Sequence, residues 1–526
     1  MSLSQSSSWN IKKKVVRTHR GVVTSQSRIA SEIGAEVLRK GGNAVDAAIA
    51  TSFALGVAEP WMSGIGGGGF MVIRLAKTDE VKVINFGMKS PKNLNVEDYP
   101  LVEGSATDLF PWTRVHEDRN VTGALAVAIP GQVAGMGLAA EHFSSLPWKA
   151  LIEPSIDLAK KGLVVDWYAQ LVISSVAKDL VPFKASAETF LDSGLFPKSS
   201  AWTSHSSNVC DQSRLAKTLE TIAEEGHQSF YRGELARTIV NELAAAGGRH
   251  SLEDFESYTA TLQTADKYSY RGHTIFGTPS MTAGPTLKRT FSLMENWQPE
   301  GNSPDSKAYQ VYDTAIRLAN EERYRFMGDE RKEVAPSCTT HFNVVDSEGN
   351  CVSVTQTLLS IFGSKLMLGD SGILMNNGIM WFDPEPNKPN SLAADKKCLA
   401  NMCPTILKRN DGHCFALGAS GGRKIMPAVA QLSSFILDYK MDIEKAMCMP
   451  RIDTSLNELT IVDDTMDENL IEDLRGTIQQ VKLAPRTIYP FNFACPSIIS
   501  SQVVGGQLEN AGITEVMSAW SDAIKE

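Results

Sequence analysis

The sequence predicts a layered α+β fold, and three observations carry the prediction. Helical and strand periodicities interleave along the chain; the clearest strand pair is joined by a short hairpin turn; and 526 residues exceed what a single hydrophobic core serves. Two domains, or two halves packed on one another, are therefore expected.

Taken in order, Ser27 to Lys40 places Ile29, Ala30, Ile33, Val37 and Leu38 on one helical face. Gly41-Gly42-Asn43 stops that helix, and a more apolar one follows from about Ala44 to Val57, ended by Pro60. Asp46, Thr51 and Ser52 interrupt it, and it is too short to span a bilayer, so it reads as a core helix. The run Gly64 to Gly69 leads into strands at Phe70–Ile73 and near Val81–Phe86. Gly131 to Leu243 is mostly helical in pattern, with an irregular polar stretch around Lys198 to Ser213, and a further helix is expected over Lys307–Phe326. After Ala335 the pattern turns to strand. His341–Val345 and Cys351–Thr357 flank Asp346-Ser347-Glu348-Gly349-Asn350, a strong hairpin signal. Asp383 to Lys397, with three prolines, is a loop; Cys414–Leu417 is a strand, followed by a glycine-rich turn and a helix from about Met426 to Leu437.

Composition narrows the function classes. Hydrophobic residues make up 43% and charged residues 21%, which excludes disordered, collagen-like and coiled-coil chains. A net charge of −9 gives no global pull toward nucleic acid or an anionic membrane. The polar, then basic, stretch Met1 to Arg20 is not followed by an apolar signal segment, so a cytoplasmic location is expected. Eight cysteines lack CxxC pairs and Cys/His ligand spacing; neither a zinc site nor a disulfide framework is indicated, and no cofactor is called for.

Three stretches could carry chemistry. Gly64, Gly66 and Gly69 fit GxGxxG, but a helix precedes them and a strand follows, the reverse of a dinucleotide fold, so close backbone packing is the better reading. Gly418-Ala419-Ser420-Gly421-Gly422 fits GxSxG between a strand and a helix, as a nucleophile elbow requires. The nine histidines end at His413, however, and the elbow needs one after its serine. The same turn suits Gly421 and Gly422 as oxyanion donors for a nucleophile supplied elsewhere. Such a nucleophile is available in Pro336-Ser337-Cys338-Thr339-Thr340-His341, where a loop delivers two threonines to the head of a strand. A threonine so placed can cut the chain before itself and expose its own α-amine as a base of near-neutral pKa. Taken alone, Thr-Thr entering a strand is ordinary β-propensity.

Thr339-Thr340-His341-Phe342-Asn343-Val344-Val345-Asp346 resembles the processing site of the γ-glutamyltranspeptidase family of N-terminal-nucleophile hydrolases. Gly41–Ala48, Glu59–Phe70, Ser371–Asn377 and the Gly421-Gly422 turn are similar to four further signatures of that family, in the same order, over roughly Gly21 to Arg451. The resemblance implies a four-layer αββα sandwich. It implies self-cleavage between Cys338 and Thr339 into a large subunit, residues 1–338, and a small one, 339–526, that share one intertwined core. Thr339 would be the nucleophile, Thr357 its hydrogen-bonding partner, and Gly421 and Gly422 the oxyanion hole. The partners implied are a small amide substrate and the other cleavage product, with pairing of such heterodimers left open.

The departures bear on substrate. Gly87 stands where glutathione-using members carry a clamp arginine, Ala400 and Asn401 replace paired serines, and Leu359 replaces an asparagine. Gly378 to Asp383 replaces the acidic or amide positions after Asn376-Asn377. Losing a charge-paired carboxylate ligand leaves the ligand charge unpaired, which disfavours glutathione. The stretch Asn377 to Pro384 looks like the cytosolic oxamate amidohydrolase branch, so a small anionic amide such as oxamate is expected, with Arg423, Asn377 and Asn401 as substrate-binding candidates. A γ-glutamyltransferase or glutathione hydrolase, an acylase of the same family, and an uncleaved binding protein are the alternatives.

Overall fold

The structure is a computed structural model that describes residues 13–105, 112–200, 208–327, 338–455, 459–488 and 490–526. Among them, fourteen strands build two seven-stranded sheets. In chain order the first seven are β1 (Val16–Thr18), β2 (Val22–Ser25), β3 (Gly68–Leu75), β4 (Glu80–Phe86), β5 (Thr261–Thr264), β6 (Asp266–Tyr270) and β7 (His273–Gly277). The others are β8 (Cys338–Val345), β9 (Cys351–Leu359), β10 (Thr405–Lys408), β11 (Cys414–Ser420), β12 (Cys495–Val504), β13 (Gln507–Thr514) and β14 (Asp522–Lys525). One sheet runs β5-β4-β3-β9-β8-β2-β14 and the other β1-β13-β12-β11-β10-β7-β6. Every neighbouring pair in both is antiparallel.

Three apolar layers stack these sheets. On the outer face of the first, Met71, Ile73, Phe342, Val344, Val352 and Val354 pack against helices α1 (Arg28–Arg39), α2 (Ala44–Ala58) and α3 (Gln132–Phe143). Between the sheets lie Val72, Val83, Val345, Ile406, Ala416 and Ile499. On the far face of the second sheet, Leu407, Phe415, Leu417 and Ile498 meet α4 (Gly284–Met294), α5 (Ser306–Met327) and α6 (Ile425–Leu437). Strand alternation produces this division, since successive residues face opposite layers. The result is the expected αββα sandwich. The α2 helix is buried on almost every side, and its Asn43–Asp46 capping box closes the first turn.

Strands from either side of Cys338 are interleaved. The β8–β9 hairpin is inserted between β3 and β2, and in the second sheet β10 to β13 lie between β1 and β7. Residues 505–526 supply β13 and the edge strand β14. Beyond β14, Glu526 accepts a hydrogen bond from the Gly21 amide at 2.9 Å. The Ala335-Pro336-Ser337 approach to the expected cleavage site, and residues 201–207 of the irregular polar stretch, lie outside the described residues.

Candidate active site

Thr339 sits at the head of β8, 3% exposed, on the face turned toward the second sheet. Its hydroxyl donates to Thr357 Oγ1 on β9 at 3.3 Å, and Thr357 Oγ1 also accepts from the Leu359 amide at 2.8 Å. The register slips between Cys338 and Thr340, and Cys338 pairs with Leu359. Leu359 holds φ at +86°, a region a leucine occupies only at a cost of about 1–3 kcal/mol. The first two predicted site residues are therefore together, on neighbouring strands.

The Gly64–Gly69 run explains how the hairpin fits. A Cβ on Gly67 would stand 2.2 Å from the Thr357 carbonyl oxygen, and one on Gly69 2.3 Å from that of Thr355. Close backbone approach is what these glycines permit, as the sequence suggested.

Across the sheets, β11 ends at Ser420 and the chain turns through Gly421 and Gly422 into α6. Gly421 has φ +127° and Gly422 φ +59°, and a Cβ on Gly421 would lie 3.0 Å from Ala494 Cα. Side chains are excluded at the turn by backbone strain as well as by space. Ser420 is not set up as an elbow nucleophile: it is fully buried and accepts a hydrogen bond from Gln26 Nε2 at 2.7 Å. Gln26 Oε1 in turn accepts from the His341 amide at 3.3 Å. His341 packs on β11, where a Cβ on Gly418 would fall 2.4 Å from its ring. Its Nδ1 bonds Thr355 Oγ1 at 2.9 Å and its Nε2 bonds Asn343 Oδ1 at 3.2 Å. Burial lowers its pKa to about 3, so the ring is neutral and already occupied on both nitrogens.

On the helix side of β8, Thr340 Oγ1 donates to Glu59 Oε2. Sequence reasoning missed Glu59 and Gln26. Glu59 opens the Glu59–Phe70 signature and closes an apolar helix, but neither fact marked it as a partner of Thr340; Gln26 had no signal.

The proposed substrate-binding residues fall into two groups. Arg423 follows the glycine turn, partly buried, and its Nη2 has no hydrogen-bond partner among the described residues. Asn401 is 8% exposed; its Oδ1 accepts from Arg323 Nη2 at 3.3 Å, while its Nδ2 is buried and unpartnered among the described residues. Arg323, from α5, also donates to the Ala400 carbonyl at 2.8 Å. Asn377 differs. It is fully buried, donates to Val121 O and Ser360 Oγ, and accepts from the Ser360 amide, so its side chain holds the turn after Thr357.

Two of the expected clamp positions, Leu359 and Ala400, are apolar, whereas Asn401 beside them is polar. Leu359 and Ala400 share one buried cluster with Phe70, Met88, Met380 and Trp381. A Cβ on Gly87 would stand 3.2 Å from both Asn85 Oδ1 and Phe70 Cζ, and the Gly87 carbonyl accepts from Tyr258 at 2.8 Å. An arginine there needs its neighbours to shift. Among the described residues, no His/Cys/Asp/Glu group could hold a metal ion, and no helix is long and apolar enough to cross a membrane.

The family model described as Gamma-glutamyltranspeptidase matches residues 30–338 and 331–492. The glutathione hydrolase proenzyme of Bacillus subtilis (strain 168) is 29% identical over 510 residues, 87% of this chain and 84% of that protein. The acylase ACY 1 proenzyme of Pseudomonas sp. (strain V22) is 31% identical over 513 residues, 90% of this chain and 89% of that protein. In fold, the chain is similar to the crystal structure of cephalosporin acylase from Bacillus halodurans, with a TM-score of 0.85 and 23% identity over 100% of this chain and 99% of that one. On the family match, which spans well over half its length, the chain belongs to the gamma-glutamyltranspeptidase family.

Proposed function

We propose that the protein is a self-processing amide hydrolase whose nucleophile is Thr339, acting on a short amide that carries a carboxylate, oxamate among them. Maturation begins when Thr339 Oγ1 attacks the Cys338 carbonyl. The Cys338–Thr339 amide C–N bond breaks as an ester C–O bond forms, and the hydroxyl proton passes to the departing nitrogen. Water then hydrolyses the ester and leaves Thr339 with a free α-amine, whose ordinary pKa of about 7.7–8.0 suits a general base at neutral pH. In turnover the same hydroxyl attacks the substrate amide, the α-amine takes its proton and delivers it to the leaving amine, and water releases the acyl group. The Gly421 and Gly422 amides would stabilise the oxyanion.

The observation that carries this reading is the Thr339–Thr357 hydroxyl pair at the head of β8. Two features support it. The relatives named above are a glutathione hydrolase proenzyme and an acylase proenzyme, and His341, the nearest imidazole in sequence, has neither nitrogen free to act as base. The acyl assignment rests on two observations. The apolar Leu359–Ala400 cluster gives a glutamyl head group no cradle, whereas Arg423 retains an unpartnered guanidinium nitrogen beside the glycine turn. A buried donor left unpaired costs about 1–3 kcal/mol, which a substrate carboxylate would recover.

A γ-glutamyl substrate is the second reading, favoured by the 29% identity to a glutathione hydrolase. One panel separates the two. Purified protein and its Thr339→Ala variant are offered oxamate, glutaryl p-nitroanilide, γ-glutamyl p-nitroanilide and glutathione. Faster release from the first two supports the proposal, and fastest release from a γ-glutamyl compound overturns the acyl assignment. Release that persists in Thr339→Ala removes the nucleophile.

A further inference from the structure

We infer that Gln26 is a positioning residue that holds the Gly421-Gly422 turn opposite the nucleophile strand. The inference rests on the reading of Thr339 and the glycine turn given above, and extends it to a residue that touches neither the nucleophile nor the expected substrate. Gln26 follows β2, which pairs with β8 from Asn343 to Val345. At the point where that pairing ends, its side chain takes over. Oε1 accepts from the His341 amide, two residues from Thr339, and Nε2 donates to Ser420 Oγ, the last residue before the turn.

All three groups are in the interior: Gln26 is 4% exposed, and Ser420 and His341 are fully buried. Water is therefore a poor substitute for either hydrogen bond, and a residue that satisfied only one would leave a buried polar group unpaired. One planar amide thus spans both sheets, fixing the separation of β8 and β11 at the level of the site. The backbone around it has no slack to compensate. Gly421 lies against Ala494, and His341 fills the space above Gly418. Oxyanion donors act only when already in place, and a misplacement of about 1 Å costs on the order of 10²-fold in rate. Gln26 belongs to the fragment before Cys338, and its partners, with the neighbouring Cys495 thiol among them, to the fragment after it. The turn would then be held by the other cleavage product.

The test compares Gln26→Met, which keeps side-chain length and removes both hydrogen bonds, with Ser420→Ala, which removes only the partner hydroxyl. Both are measured as cleaved protein with glutaryl p-nitroanilide, or with γ-glutamyl p-nitroanilide if that is the faster substrate. Each variant should lower kcat by about 10²-fold while KM changes less than about twofold. The double variant should be no slower than Gln26→Met alone, because the bond that Ser420→Ala removes is already missing there. If Gln26→Met does not mature, Ser420→Ala still decides: full kcat in that variant overturns the inference. So does a loss in KM rather than kcat, or a double variant in which the two losses multiply. A wild type that turns over through Thr339 while both variants keep full kcat sinks the positioning role alone. A wild type without Thr339-dependent turnover sinks the functional reading and this inference together.

Discussion

Thr340 Oγ1 lies 3.3 Å from Glu59 Oε2, on the face of β8 opposite Thr339. The carboxyl closes α2, is 1% exposed, and among the described residues has no cation close enough to offset its burial. Desolvation raises its pKa from the ordinary 4.5 to about 8, with the Thr340 hydrogen bond opposing the rise. Cys495, at the start of β12, is likewise held neutral, chiefly by burial, which pushes its thiol up to about 12.

Glu59 therefore links stability to pH in a definite direction. The folded state holds the proton more tightly than the unfolded state, so this contribution is whole below about pH 4.5 and is lost as the pH rises through about 8. Glu59→Gln keeps a partner for Thr340 and has no charge to bury. Melting curves of the two proteins should agree near pH 4.5 and diverge above it, the variant becoming the more stable by up to about 1.4 kcal/mol per pH unit. Parallel curves up to pH 9 would show that Glu59 is ionised throughout.

Thr339→Ala should remain a single chain and be inactive, while wild type separates under denaturation into fragments 1–338 and 339–526. N-terminal sequencing of the smaller fragment should begin Thr-Thr-His. An intact wild type with full activity rules out the self-processing mechanism.

Thr357→Val removes the acceptor for both the Thr339 hydroxyl and the Leu359 amide. The fold should survive with a loss of about 1–3 kcal/mol for the stranded amide, since the shapes nearly match. Turnover should fall by at least about tenfold in a protein that still melts cooperatively. Unchanged kcat in the cleaved variant removes Thr357 from the site.

Arg423→Lys trades a planar fork for a point charge. It should raise KM for a carboxylate-bearing anilide by about tenfold, the worth of one charge-assisted hydrogen bond. Hydrolysis of the matching uncharged amide should change little. Equal effects on both substrates would place Arg423 away from the carboxylate.

The sequence made the local pieces legible and left their juxtaposition hidden. α2, the β8–β9 hairpin and the glycine turn each rest on contacts within a few residues, and periodicity or turn chemistry marks them. Thr339 and Thr357 were paired only through the family resemblance, and the hairpin that carries them is what brings them together. Gln26 and Ser420 are 394 positions apart, and Glu59 and Thr340 281. No periodicity reports a contact at such separation, and Gln26 lies in an unremarkable Ser-Gln-Ser stretch. The clamp positions were legible only as substitutions: that Leu359 and Ala400 join an apolar cluster with Trp381 depends on the end of β9 meeting two later segments of the chain.

The insertion of β8 and β9 between β3 and β2 has a consequence for the life of the molecule. While the chain is continuous, those strands find their neighbours by an intramolecular search whose rate is independent of dilution. Once the Cys338–Thr339 bond is cut, neither piece contains adjacent strands enough to rebuild either sheet, and reassembly becomes a second-order encounter between two incomplete polypeptides. Refolding yield after denaturant removal should then fall with dilution for the cleaved protein but not for Thr339→Ala. Maturation would be a ratchet, in which a molecule that folded once as a unimolecular event persists only as long as it never comes apart.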